Sequence, residues 1–204
     1  MPDVRIAILT FDGFNELDSF IALGLLNRLR PLGFSAELCG PNGHASSMNG
    51  VKVELQRPLE WANEAEVVLF GSGLYTRAIA ANSALLDRLQ LDPLRQLLGA
   101  QCSGALLLAR LGLLGDMPAC TDTSTRPWLI QTGAVVLDEE AFHARGPVAT
   151  AGGCLASQYL ASWVMLKKAG EAAAREALLY VAPVGEKEDY AERLLARVRP
   201  FVDK

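Results

Sequence analysis

The chain has 204 residues, half of them hydrophobic, enough for one substantial core and pointing to a single domain over residues 1–204. Its formal net charge is −4 with the basic residues scattered, which argues against nucleic acid or an anionic membrane surface as the main partner. No apolar run reaches the ~18 residues of a membrane span, and the short apolar start with an early Asp3 does not make a signal peptide.

The first apolar run, Val4–Leu9, reads as a buried strand. Residues 16–30 follow as a helix with Leu17, Phe20, Ile21, Leu25 and Leu29 on one stripe. A second strand over 34–39 closes at the Gly40-Pro-Asn-Gly43 turn, and 51–55 has the look of a hairpin strand. The run 66–70 reads as a buried strand ending at Gly71-Ser-Gly73, with short helices over 75–80 and 83–89. Leu97–Gln101 is a strand that changes abruptly into a helix at Cys102. Later strands are expected over 134–138 and 148–150, and helices over 156–169, 172–181 and 190–199. The last of these carries Arg193, Arg197 and Arg199 on a solvated face. Strands separated by helices of this length give a parallel α/β sheet covered on both faces.

Four cysteines, at 39, 102, 120 and 154, are widely spaced with no Cys-x-x-Cys. The two histidines, His44 and His143, show no metal-ligand spacing to a cysteine or carboxylate. A disulfide framework, a metal or a cofactor is not expected, and reduced thiols suit a cytoplasmic protein.

A parallel sheet binds its ligands at the C-terminal strand ends. Three loops converge there: Phe11 to Asp18, Gly71-Ser-Gly73, and the corner at Cys102. A strand turning sharply into a helix presents its corner side chain and aims the first free N–H groups of the helix at a ligand. The helix N-terminus should favour a thiolate at Cys102, and the small Ser103 and Gly104 permit the tight turn. This is a nucleophile-elbow pattern with cysteine in the serine position. Cys154 is a rival, since its strand also opens onto a helix, but it lacks the following glycine and packing is the better reading. In the first loop Asp12, Glu16 and Asp18 are all candidates for an acid set against the thiol, and they equally suit the acidic start of a helix capped by Asn15. A carboxyl pressed against a thiolate should have a raised pKa. Gly71, Gly73 and Ser103 are candidates for an oxyanion hole, or a plain strand-to-helix turn. Neither histidine can be placed beside Cys102, and Asp122 stands as a further candidate for that neighbourhood.

Gln101-Cys-Ser-Gly-Ala-Leu-Leu-Leu-Ala-Arg-Leu-Gly-Leu-Leu114 resembles the Cys-x-Gly-x-x-x-Leu-Ala-x-x-Gly-Leu-Leu signature of the ThiJ/PfpI superfamily. Phe14-Asn-Glu-Leu-Asp18 is similar to its first acidic loop, and Val148-Ala-Thr-Ala-Gly-Gly153 to its late glycine-rich strand. The resemblance implies a flavodoxin-like three-layer sandwich, homodimeric, with Asp18 as the acid paired to Cys102. Among the branches the chain looks most like the isonitrile hydratase group. By that analogy Cys102 attacks an isonitrile carbon, Asp18 moves the protons, and Gly73 and Ser103 hold developing charge while water adds to give an N-formamide. The chain departs from the group at Phe20-Ile-Ala22, where the group has Gly-Pro. It departs from histidine-bearing relatives at Asp122. Competing implications are an amidase- or protease-like hydrolase of small molecules and a non-enzymatic redox or ligand sensor.

Overall fold

In the computed structural model, residues 3–202 are described. The strands are β1 (Val4–Leu9), β2 (Phe34–Gly40), β3 (His44–Ser46), β4 (Lys52–Glu54), β5 (Arg57–Pro58), β6 (Val67–Phe70), β7 (Leu97–Gln101), β8 (Phe142–Arg145) and β9 (Val148–Ala151). The helices are α1 (Glu16–Leu26), α2 (Thr76–Ala80), α3 (Ser83–Leu86), α4 (Gly104–Arg110), α5 (Arg126–Gln131), α6 (Ser157–Val181) and α7 (Lys187–Val198). Seven strands form one sheet in the order β5-β2-β1-β6-β7-β9-β8, parallel except for β8. β3 and β4 make a separate antiparallel hairpin.

The central strands are apolar on both faces because both faces are covered. Along β1, Ile6 and Ile8 enter a core built with α1, α6 and α7, whereas Ala7 and Leu9 enter a second core built with α2 to α5. The result is the helix–sheet–helix sandwich that the alternating pattern implies. Among the described residues no helix is long and apolar enough to cross a membrane.

Several elements differ from the sequence expectation. The first helix ends at Leu26 and continues as a 3₁₀ turn over Asn27–Leu32, where Pro31 has no N–H to donate. Its buried face is Asp18, Ser19, Ala22, Leu25 and Leu26, with Leu29 buried in the 3₁₀ turn, so the expected stripe holds at Leu25 and Leu29 but not at Leu17 and Phe20, which are 49% and 36% exposed. Residues 134–138 do not join the sheet; that segment brackets Ala119 alone, which donates to Val135 and accepts from Leu137. β8 takes the edge place through a tight Gly146-Pro147 turn, and His143 sits half-buried on it, edge-to-face with Phe201. α5 is not among the expected helices; Pro127 stands in its first turn, where proline is tolerated. The break expected near residue 170 is present: Gly170, at φ 81°, divides α6 into two helical segments. Two of the three C-terminal arginines are ion-paired, Arg197 with Glu140 and Arg199 with Glu171 and Glu192, and Arg193 lies over the Tyr190 ring.

Candidate active site

β7 is buried along its whole length and delivers Cys102 at its C-terminal end, directly before α4. Cys102 has φ 46°, a left-handed conformation that a non-glycine residue adopts at a cost. That cost is met by neighbours on both sides. The Cys102 N–H donates to Ala151 O at 2.8 Å, and Thr121 Oγ1 donates to Cys102 O at 2.8 Å. Gly104 completes the elbow, because a Cβ there would lie 2.5 Å from Phe70 O and 2.9 Å from Gly71 O. Both obstacles are backbone atoms of the adjoining strand end, so neither gives way cheaply. Gly104→Ala is expected to destabilise the fold by about 1–3 kcal/mol and to change the alkylation rate of Cys102. Urea denaturation with thiol labelling checks both, and unaltered labelling would show that the elbow does not depend on this approach.

Asp18 is the acid that faces the thiol. It is 2% exposed, Cys102 is 4% exposed, and their reactive atoms, with Cys154 Sγ, all lie within 4.8 Å of one another. Ser72 Oγ donates to Asp18 Oδ2, while Oδ1 has no hydrogen-bond partner, and Ser157 Oγ donates to the Asp18 carbonyl at 2.7 Å. Burial pushes the Asp18 carboxyl up from 3.8 to about 6, against the opposing effect of the Ser72 hydrogen bond, and the Asp122 charge adds to the rise.

The thiol departs from expectation. Burial pushes Cys102 well above the ordinary thiol value, the Asp18 and Cys154 charges push it further, and the Gln101 amide, 3.6 Å from Sγ, opposes them weakly. Asp18 and Cys102 are therefore two neighbouring acids, each of which opposes ionisation of the other.

The other two acids of the first loop do different work. Asp12 accepts from the Ser46 N–H at 2.9 Å, and Glu16 accepts from Ser47 Oγ and from Asn49 Nδ2. The Ser47 hydrogen bond holds the Glu16 carboxyl below its usual range. Both fasten the β3–β4 hairpin to the loop and stand outside the cavity.

Gly71 does not supply an oxyanion donor: its N–H donates to Leu9 O at 3.3 Å. Gly73 and Ser103 do line the cavity, within a ring of polar groups. The Gly73 N–H donates to Ser103 Oγ at 3.3 Å, Ser103 Oγ donates to Thr76 Oγ1 at 2.9 Å, and Thr76 Oγ1 donates to Gly73 O at 3.0 Å. Asp122 also lines the cavity, but its Oδ1 accepts from the Ser124 and Thr125 N–H groups at 3.0 Å each, capping the turn before α5.

The cavity beside Cys102 measures about 370 Å³, with Met48, Leu74 and Trp128 as its apolar wall and Asn15, Ser72, Thr125 and Cys154 among its polar lining. Cys154 is the residue that the sequence reading set aside. It begins the turn after β9, and Asn15 Nδ2 donates to its Sγ at 3.0 Å. The signal was the adjacency of β7 and β9, which the chain order does not reveal. Asp18, Cys102 and Cys154 are also the one grouping of metal-ligand side chains among the described residues. Cys39 and Cys120 lie apart, fully buried, each thiol pushed up to about 12 by burial. Neither histidine reaches the site: His44 is exposed on β3 and His143 lies on β8.

No family model and no curated protein matches the chain. Solved structures do. A ThiJ/PfpI family protein from Pseudomonas syringae superposes with TM-score 0.78 at 18% identity, covering 97% of this chain and 91% of that one. Schizosaccharomyces pombe DJ-1 gives 0.75 at 13% identity, over 88% and 100% of the two chains. A putative transcriptional regulator from Vibrio parahaemolyticus gives 0.77 at 16% identity, over 89% and 100%. A mainly parallel sheet with a cysteine at its central elbow and an aspartate beside it thus has the flavodoxin-like α/β fold found in ThiJ/PfpI and DJ-1 proteins.

Proposed function

We propose that the protein is a cysteine-dependent enzyme acting on a small carbon–nitrogen substrate, with hydration of an isonitrile to an N-formamide as the reaction. The observation that carries this reading is the geometry of Cys102, which borders a cavity of about 370 Å³ and has the buried Asp18 carboxyl within 4.8 Å of its sulfur. An isonitrile carbon carries a lone pair and accepts a nucleophile, so the reaction needs one nucleophile and one group that gives and takes a proton. Asp18 takes the thiol proton as Cys102 Sγ bonds to the terminal carbon, and returns it to that carbon, leaving a thioimidate. Asp18 then takes a proton from water as the water oxygen adds to the same carbon, passes that proton to the nitrogen, and takes the remaining proton from the new hydroxyl. The carbon–sulfur bond breaks, the formamide leaves, and Cys102 recovers its proton from Asp18. Substrate carbon, nitrogen and one water are all accounted for in the product. Ser103, which lines the cavity, would offer its N–H to charge as it develops, and the Gly73 N–H would have to leave Ser103 Oγ to join it.

Incubating the full chain with a small alkyl isonitrile and following formamide by NMR tests the reading. Formation is expected, with kcat/KM falling as pH drops below about 6, because the pair then holds two protons and Asp18 has no free base. Absence of formamide, with hydrolysis of small amides instead, would move the assignment to a hydrolase. The position of both histidines away from Cys102 weighs against a Cys–His hydrolase.

Sensing is the second reading, favoured by the likeness in fold to proteins described as transcriptional regulators. Ligand binding without turnover would support it. Assembly as a homodimer belongs to the same proposal, since Leu17 and Phe20 leave apolar surface on α1 that pairing would cover. Sedimentation at micromolar concentration, giving twice the chain mass or the chain mass alone, decides that point.

A further inference from the structure

We infer that Cys154 is a resolving thiol for Cys102, so that a hydroperoxide converts the pair into an intramolecular disulfide. The inference rests on the site described above and concerns its regulation.

Several observations converge on it. β7 and β9 are adjacent parallel strands with Gln101 opposite Ala151, and the Cys102 N–H is bonded to Ala151 O. The two sulfurs therefore leave neighbouring strand ends, and they lie within 4.8 Å of each other. Gln101 Nε2 braces both loops, donating to Gly153 O at 2.6 Å and lying 3.6 Å from Cys102 Sγ. Both thiols border the same cavity, and Cys154 is the less buried of the two. Closure to a sulfur–sulfur bond of about 2.05 Å requires side-chain rotation in the short turn that Cys154 begins, after Gly152 and Gly153. Cys39 and Cys120 stand outside this grouping.

In the first step Asp18 takes the Cys102 proton. The sulfur attacks one oxygen of the peroxide, the oxygen–oxygen bond breaks, and the departing alkoxide or hydroxide leaves as alcohol or water with that proton. Cys102 becomes a sulfenic acid. In the second step Cys154 Sγ attacks Cys102 Sγ, expels water and forms the disulfide. Two thiols are oxidised and one peroxide is reduced. The bond takes Cys154 from Asn15 and removes the nucleophile from catalysis. It also stops oxidation at a stage that a thiol can reverse, ahead of sulfinic acid.

The test treats the full-length protein with a modest excess of hydrogen peroxide, alkylates the free thiols and maps the peptides by mass spectrometry. A Cys102–Cys154 cross-link, lost on reduction, is the expected result. In Cys154→Ala, Cys102 sulfinic acid should rise several-fold at the same peroxide dose. A Cys120→Ala variant should behave as the parent, and circular dichroism of each variant establishes that it is folded. Sulfinic acid on Cys102 in the parent, with Cys154 still free, would overturn the inference, as would a Cys102 that peroxide leaves unchanged. The readout requires no substrate, so failure of isonitrile turnover and failure of disulfide formation are separate results.

Discussion

Asp18→Asn is expected to make the protein more stable at neutral pH and far less active. Asp18 is almost fully buried, and its carboxyl is raised from 3.8 to about 6. A group whose folded pKa exceeds its unfolded value favours folding while protonated in both states. That contribution is lost as pH rises through the folded value. The parent therefore loses stability between about pH 4 and pH 6, by about 3 kcal/mol in total. Asparagine carries no charge and can still meet Ser72. Urea denaturation should show parent and variant equally stable near pH 4, with the variant ahead by up to about 3 kcal/mol above about pH 7. A gap that does not depend on pH would mean that burial of the ionised carboxylate carries no net cost. Turnover should fall by about 10²–10⁴, the usual share of a positioned proton carrier.

Cys102→Ser should cost more, on the order of 10³–10⁶ in kcat/KM. Serine can occupy the same elbow, but its hydroxyl gives up a proton far less readily than a thiol and is the poorer leaving group. Because Asp18 acts through the sulfur, the double variant with Asp18→Asn should be scarcely worse than Cys102→Ser alone. Full additivity would show that the two residues serve different steps. A Cys102→Ser variant that keeps activity within about tenfold of the parent would remove covalent catalysis from the reading.

The elbow was legible in the chain because its causes are local. An apolar run, a cysteine, two small residues and a helical repeat follow one another without interruption. The choice among Asp12, Glu16 and Asp18 was not local. Periodicity pointed to Leu17 and Phe20 as the inward stripe, whereas the helix buries Asp18 and Ser19. Resemblance alone favoured Asp18. Its burial follows from β6 and α6, which bring Ser72 and Ser157 against it from positions 54 and 139 residues away. Cys154 was weighed as a rival but read as a packing residue for a similar reason, since the pairing of β7 with β9 spans the whole of α4 and α5. Gly71 looked equivalent to Gly73 until the parallel strand beside it claimed its N–H. The solvated arginine face of α7 was recognisable, but the acids that pair with Arg197 and Arg199 come from α6, from α7 itself and from the loop before β8.

The β3–β4 hairpin stands outside the main sheet and is tied to the first loop by Asp12, Glu16 and the pairing of Met48 N–H with Phe14 O at 2.8 Å. Its Met48 forms part of the cavity wall, whereas Cys102 and Asp18 are set by β7 and α1. The Met48 part of the cavity wall and the Cys102–Asp18 pair thus come from separate stretches of chain. If the proposed reaction holds, changes confined to residues 43–55 would reshape that wall while leaving Cys102 and Asp18 in place, so one scaffold would accept new molecules without moving its proton carrier.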